Sequence, residues 1–107
     1  MAKNLGEFEL LVLLSLIRLS PQAYGVVIGE DITDRTGRKI TIGALYATLN
    51  RLETKAYVKT RMGETSPARG GRAKRYYEIT PLGQKQVEQT LSSLKNMLPG
   101  TQLWPET

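Results

Sequence analysis

Thr41-Ile42-Gly43-Ala44-Leu45-Tyr46-Ala47-Thr48-Leu49-Asn50-Arg51-Leu52-Glu53-Thr54-Lys55 is the stretch whose reading decides the fold. Leu45, Leu49 and Leu52 fall at i, i+4 and i+7, on one face of a helix, and Thr41 stands where a hydroxyl caps its first turn. With those leucines turned inward, the opposite face carries Gly43, Ala47, Asn50 and Thr54, with Ala44 and Arg51 to one side. That outer face is small and nearly uncharged. It lets a backbone approach a surface closely, and it offers only Asn50 and Arg51 as long polar side chains with base-reading chemistry.

Upstream, a second helix spans about Ala23 to Arg35, with Val26, Val27 and Ile32 on its apolar side and Thr36-Gly37 as its stop. The basic turn Arg38-Lys39 joins it to the first stretch. Downstream, Tyr57 to Met62 alternates and favours β-structure, Gly63 to Gly71 is a loop rich in Gly, Ser, Pro and Arg, and Arg72 to Thr80 is a second strand. Two short helices followed at once by a basic β-hairpin describe a winged helix-turn-helix, with the second helix as the reader. A helix about 10–12 Å across fills the major groove of B-DNA. The loop Arg69-Gly70-Gly71-Arg72-Ala73-Lys74-Arg75 supplies four cations at the hairpin tip.

The charge distribution supports the same reading. Eleven basic residues lie between Arg35 and Arg75 against Glu53 and Glu64, a net +9, while the rest of the chain holds four basic and eight acidic residues, a net −4. A concentrated positive field has polyanions as its natural partner. A charge run alone is equally compatible with a solvated face; it gains meaning by coinciding with the turn, the reading helix and the wing.

Two further helices flank this unit. Leu5 to Leu19 is apolar nearly all round, so it needs cover on two sides. One cover is expected to be a second subunit, the alternative being a central helix wrapped by its own chain. Thr80-Pro81 opens a last helix with a hydroxyl cap and a proline in the first turn. That helix runs to about Leu98, and Val87, Leu91, Leu94 and Leu98 form a two-heptad seam. Leu5, Phe8 and Val12 with this seam are the expected dimer contacts, against the alternative that the helix packs only on its own domain. Residues 1–80 then form the DNA-binding unit and 81–107 the dimerisation helix and tail. The fold class expected is mainly α with a small antiparallel β-hairpin.

Several function classes drop out. The 107 residues contain no histidine and no cysteine, which removes thiolate chemistry, the commonest general base and the softer zinc ligands. Glu7 with Glu9, and Glu30 with Asp31, are too close along a helix to share a cleft, so no enzyme, metal site or cofactor is expected. Leu10 to Leu19 is too short for a bilayer, which takes about 20 apolar residues, and Arg18 interrupts it. It reads as a buried helix of a cytoplasmic protein without membrane association. Tyr76-Tyr77 alternates across a strand and cannot form one stacking platform for RNA. A protein-interaction module using the basic wing on an acidic partner remains the competing reading.

Leu5-Gly6-Glu7-Phe8-Glu9, Ala23-Tyr24-Gly25, Ile42-Gly43-Ala44-Leu45-Tyr46, Leu49-Asn50-Arg51-Leu52-Glu53 and Gly70-Gly71-Arg72-Ala73-Lys74-Arg75-Tyr76-Tyr77, running into Thr80-Pro81-Leu82-Gly83, occur in this order. Together they resemble the PadR family of bacterial transcriptional regulators, in its short class with one C-terminal helix. The resemblance implies a homodimer on an inverted-repeat operator, usually a repressor, with Tyr46 touching DNA backbone and the glycine-arginine turn as the wing. Ala56 stands where the family commonly carries a glycine, and Tyr57 where it carries an aliphatic residue. The expected DNA-binding set is Arg38, Lys39, Thr41, Gly43, Ala44, Tyr46, Ala47, Asn50, Arg51, Arg69, Arg72, Lys74 and Arg75. The short C-terminal part names no effector, although Phe8 and Trp104 are aromatic residues of the kind that line such sites.

Overall fold

The computed structural model describes residues 3–63 and 73–99. Helix α1 spans Glu7–Leu19, with Glu7 and Glu9 in its first turn and Arg18 in its last, the charge order that a helix dipole favours. The Glu9 carboxylate accepts a 3.0 Å hydrogen bond from the Gly6 N–H at the helix start. Leu10, Val12, Leu13 and Leu16 are buried, and so is Ser15, whose hydroxyl donates to Asp31 at 2.7 Å. The remaining elements surround this helix.

Helix α2 spans Gly25–Thr36 and stops at Gly37, whose φ of 73° suits a residue without Cβ and whose N–H closes onto the Thr33 carbonyl at 2.9 Å. Asp31 on α2 accepts from Arg18 of α1 and from Arg35 one turn on, fastening the two helices together. Helix α3 spans Ile42–Thr54; the Thr41 hydroxyl accepts from the Ala44 N–H at 3.1 Å. Leu45, Leu49 and Leu52 are buried with Thr48, so the inward face is the one the leucine spacing predicts.

Strands β1 (Val58–Met62) and β2 (Arg75–Ile79) pair antiparallel, Val58 opposite Ile79 and Met62 opposite Arg75. β1 starts one residue later than the sequence predicts, and the regular part of β2 starts at Arg75 rather than Arg72. Most of the expected loop, residues 64–72, lies outside the described residues. Helix α4 spans Pro81–Met97, and the Thr80 hydroxyl accepts from the Gly83 N–H at 3.0 Å.

The core runs through the middle of this arrangement. Val12, Leu13, Leu16, Ile28, Leu49 and Leu52 are fully enclosed, and Val58, Tyr77 and Val87 close it from the hairpin and α4. Helix α1 packs against α2, α3, α4 and β2 of its own chain. This corrects the expectation that Leu5, Val12 and Val87 face a second subunit: all three are buried in the protomer's own core. Its own chain covers α1 along Leu10, Val12, Leu13 and Leu16, while Phe8, Leu11, Leu14 and Leu19 stay half-buried and Ile17 is exposed. Among the described residues no helix is long and apolar enough to cross a membrane, and no group of three or more acidic, histidine or cysteine side chains could hold a metal.

Candidate nucleic-acid interface

The interface begins with the outer face of α3. Gly43, Ala44, Ala47, Asn50 and Arg51 are all exposed, and Tyr46 is exposed at the edge that faces α2. Nothing lies within 4 Å of where a Cβ on Gly43 would sit. The surface is therefore a shallow helical ridge free of bulky side chains, the shape that enters a groove without collision. Thr41 is exposed as well, but its hydroxyl is used in the N-cap.

Cations surround this ridge, and most of them are already engaged. Arg38 donates to Glu7 at 2.7 Å and lies over the Phe8 ring, 5.1 Å from its centre. Arg51 donates to the Thr48 hydroxyl and stands 3.7 Å from Glu9, which Lys55 also approaches at 3.1 Å. Lys59 and Arg61 share Glu78, and Arg35 holds Asp31. Three carboxylates from outside the basic segment (Glu7, Glu9 and Glu78) thus lower its nominal +9 to +6, and Asp31 divides its charge between Arg35 and Arg18, which lies outside the segment. Within that segment the described cations with no carboxylate partner are Lys39, Lys74 and Arg75. The expected contacts Arg69 and Arg72 lie outside the described residues.

The root of the wing is built, Lys74 apart, from residues outside the expected DNA-binding set. Tyr24 forms a β-bridge with Tyr76, and the Tyr77 N–H donates to the Ala23 carbonyl at 2.8 Å. The lead-in to α2 is therefore a third edge of the hairpin sheet. Tyr24 and Tyr76 meet edge to face with ring centres 5.7 Å apart, Lys74 sits 3.9 Å from the Tyr24 ring centre, and Arg61 sits 4.4 Å from that of Tyr76. Arg61 also donates to the Pro21 carbonyl at 2.7 Å and to Glu78 at 3.1 Å. Such contacts are individually modest, about 0.5–1.5 kcal/mol each. Together they fix the wing base to the start of the helix pair. Both the Tyr76-Tyr77 pair and Ala23-Tyr24-Gly25 stand among the segments that carry the resemblance, but nothing in their pattern says that Tyr24 bridges Tyr76.

Two carboxyl groups have shifted acidities. Burial raises that of Glu9, but the Gly6 N–H, Lys55 and Arg51 outweigh it and hold the group below the ordinary carboxylate value. Asp31 behaves alike: burial raises it, and Arg18, Ser15 and Arg35 pull it lower overall. Both are anchors of the scaffold. Tyr77 is pushed up, mainly by burial, and serves the core.

Of the expected dimer contacts, Leu91 and Leu94 are exposed on α4, together with Leu82 and Met97, Leu98 is exposed just after the helix end, and Phe8 is half-buried beneath Arg38. Trp104 lies outside the described residues.

Solved structures share this architecture. A transcriptional regulator from Clostridium thermocellum superposes with a TM-score of 0.69 and 28% identity, over 82% of this chain and 80% of that one. A PadR family transcription regulator from Clostridium difficile gives a TM-score of 0.70 at 22% identity, over 86% and 91%. A PadR-like transcription factor from Bacteroides fragilis gives 0.72 at 22% identity, over 84% and 82%. No curated protein sequence matches the chain. The family model for the transcriptional regulator PadR-like family matches residues 13–89, most of the chain and all of the helix pair and hairpin. On that match the chain belongs to the PadR-like family, DNA-binding transcriptional regulators rather than enzymes.

Proposed function

We propose that the protein is a cytoplasmic homodimeric repressor that binds an inverted-repeat operator, with α3 in the major groove and the hairpin on the flanking phosphates. The observation that carries this reading is the outer face of α3, bare of bulky side chains, beside cations that no carboxylate neutralises. Gly43, Ala44, Ala47, Asn50 and Arg51 meet bases, while Arg38, Lys39, Thr41, Tyr46, Lys74 and Arg75 meet backbone, joined by Arg69 and Arg72 of the wing. Residues 1–80 form the DNA-binding unit. Residues 81–107 form the dimerisation region, where Leu91, Leu94 and Leu98 pair with their counterparts.

A two-fold dimer places its reading helices about one DNA turn, roughly 34 Å, apart. With only Asn50 and Arg51 offering long polar groups on α3, phosphate contacts carry most of the affinity and the central bases are read sparsely. Footprinting on DNA upstream of the protein's own gene is the test, and it should protect two half-sites related by a dyad. Protection of a single half-site, or affinity equal to that for random DNA, overturns the operator reading. In the same preparation Leu94→Glu should convert the dimer to monomer by sedimentation while keeping the helical circular dichroism signal. A wild-type chain that sediments as a monomer at micromolar concentration overturns the dimer.

A further inference from the structure

Helices α2 and α3 do not close fully against each other on the solvent side. Between them lies a groove of about 310 Å3, lined among others by Val26, Glu30, Asp34, Ile42 and Tyr46. Small-ligand sites start at about this size. Its walls are unusually apolar for an outer surface, since Val26 is 57% and Ile42 69% exposed. Tyr46 closes one end: a Cβ on Gly25 would lie 2.0 Å from its hydroxyl oxygen. Glycine at position 25 is what gives the ring this position.

The groove is also acidic. Among the described residues Glu7, Glu9, Asp31 and Glu78 are each held by arginine or lysine. Glu30, Asp34, Glu53 and Glu88 have no such partner, and of these Glu30 and Asp34 border the groove together. These two lie one turn apart on α2, so both carboxylates border the same apolar trough. Two unneutralised anions, an apolar floor and an aromatic ring form a set that complements an organic cation with an apolar body. A phosphate or carboxylate ligand would meet repulsion there.

We propose that this groove binds a small amphipathic cation, an aryl or alkyl ammonium. Ile42 and Tyr46 belong to α3, so an occupied groove and DNA compete for one helix. This second step rests on the DNA-binding reading above; the first does not.

The test uses the full chain, labelled with 15N, and benzyltrimethylammonium chloride as the probe, with sodium chloride holding ionic strength constant. Amide shifts are expected at Gly25, Gly29, Asp34, Ile42 and Tyr46. Benzyl alcohol, which keeps the ring and lacks the charge, should bind about fivefold more weakly, and E30Q/D34N should lose about fivefold for the cation, as partly solvated ion pairs imply. Glu30 and Asp34 are exposed and unpaired, so the double variant should melt with the wild type, and its fold is checked that way. Shifts that are absent at about 10 mM probe, well above the millimolar range expected of such a contact, overturn the site. So do shifts scattered over the surface, or an unchanged affinity in E30Q/D34N. Release of a fluorescent operator by the probe at fixed ionic strength supports competition. Amide shifts without release overturn competition and leave the site standing.

Discussion

Ala56 is the one non-glycine residue with a positive φ among the described residues, at 65°. It follows the end of α3, where its N–H donates to the Glu53 carbonyl at 2.9 Å and the Tyr57 N–H donates to the Leu52 carbonyl at 3.0 Å. These are the two bonds of a Schellman motif, which place Ala56 at the position glycine usually fills. A Cβ there costs about 1–2 kcal/mol in the folded chain. Replacing alanine by glycine also frees the unfolded chain, which costs about 0.4–1 kcal/mol. The methyl group is exposed, so little burial is lost. Ala56→Gly should therefore stabilise the protein by about 0.5–1 kcal/mol, raising the melting temperature by about 2–6 °C for a chain of this size. The assay is reversible thermal unfolding followed at 222 nm, with both proteins at one protomer concentration because the proposed dimer would couple to stability. Ala56→Val is the counter-variant, and a β-branched residue in this conformation should lower the melting temperature. If glycine destabilises while valine is tolerated, the turn is not left-handed and the reasoning fails.

Other outcomes follow from the charges. Lys39→Ala should flatten the plot of log affinity against log salt by about one unit per protomer, because one fewer phosphate is neutralised; an unchanged slope takes Lys39 off the phosphates. Glu7→Gln should raise DNA affinity by about twofold to threefold by releasing Arg38, a gain that shrinks at high salt. No gain at low salt means that Arg38 does not reach DNA. Asp31 and Glu9 titrate below their unfolded values, so their stabilisation is complete above about pH 5 and is lost as pH falls through the folded values. Asp31→Asn should remove part of that acid sensitivity in urea melts at pH 3 to 7, and parallel pH profiles for variant and wild type would contradict the assignment.

The reading helix was legible because its leucines repeat at the helical period and its caps are local. Thr41 and Thr80 bond to N–H groups three residues on, within reach of any sequence pattern. The Arg38–Glu7 and Lys55–Glu9 pairs join residues 31 and 46 positions apart, and nothing local marks them. That is why the +9 of the basic segment overstated the field that DNA meets. Leu5 and Val12 were placed on the wrong cover of α1 for a related reason: periodicity gives the number of covered faces and leaves open which residues the protomer itself encloses. Leu91 and Leu94, by contrast, are exposed on α4, while Leu98 follows the last helical residue in extended conformation and leaves the helical spacing. The pairing of Tyr24 with Tyr76 was not legible because one bridge residue has no period.

The junction at the foot of α4 has a mechanical consequence. The Thr80 hydroxyl donates to the Ala56 carbonyl at 2.7 Å, its N–H donates to the Tyr57 carbonyl at 3.0 Å, and a Cβ on Gly83 would come within 2.3 Å of that same carbonyl oxygen. The end of α3 and the start of α4 are thus clamped to each other without slack. A helix of 17 residues is about 25 Å long, so a 5° rotation at the clamp moves its far end by about 2 Å. Read in reverse, a displacement of about 2 Å at the tip of α4 arrives at the base of α3 as a small change of angle. Helix α4 is thus a lever whose angle is set where it joins the end of α3.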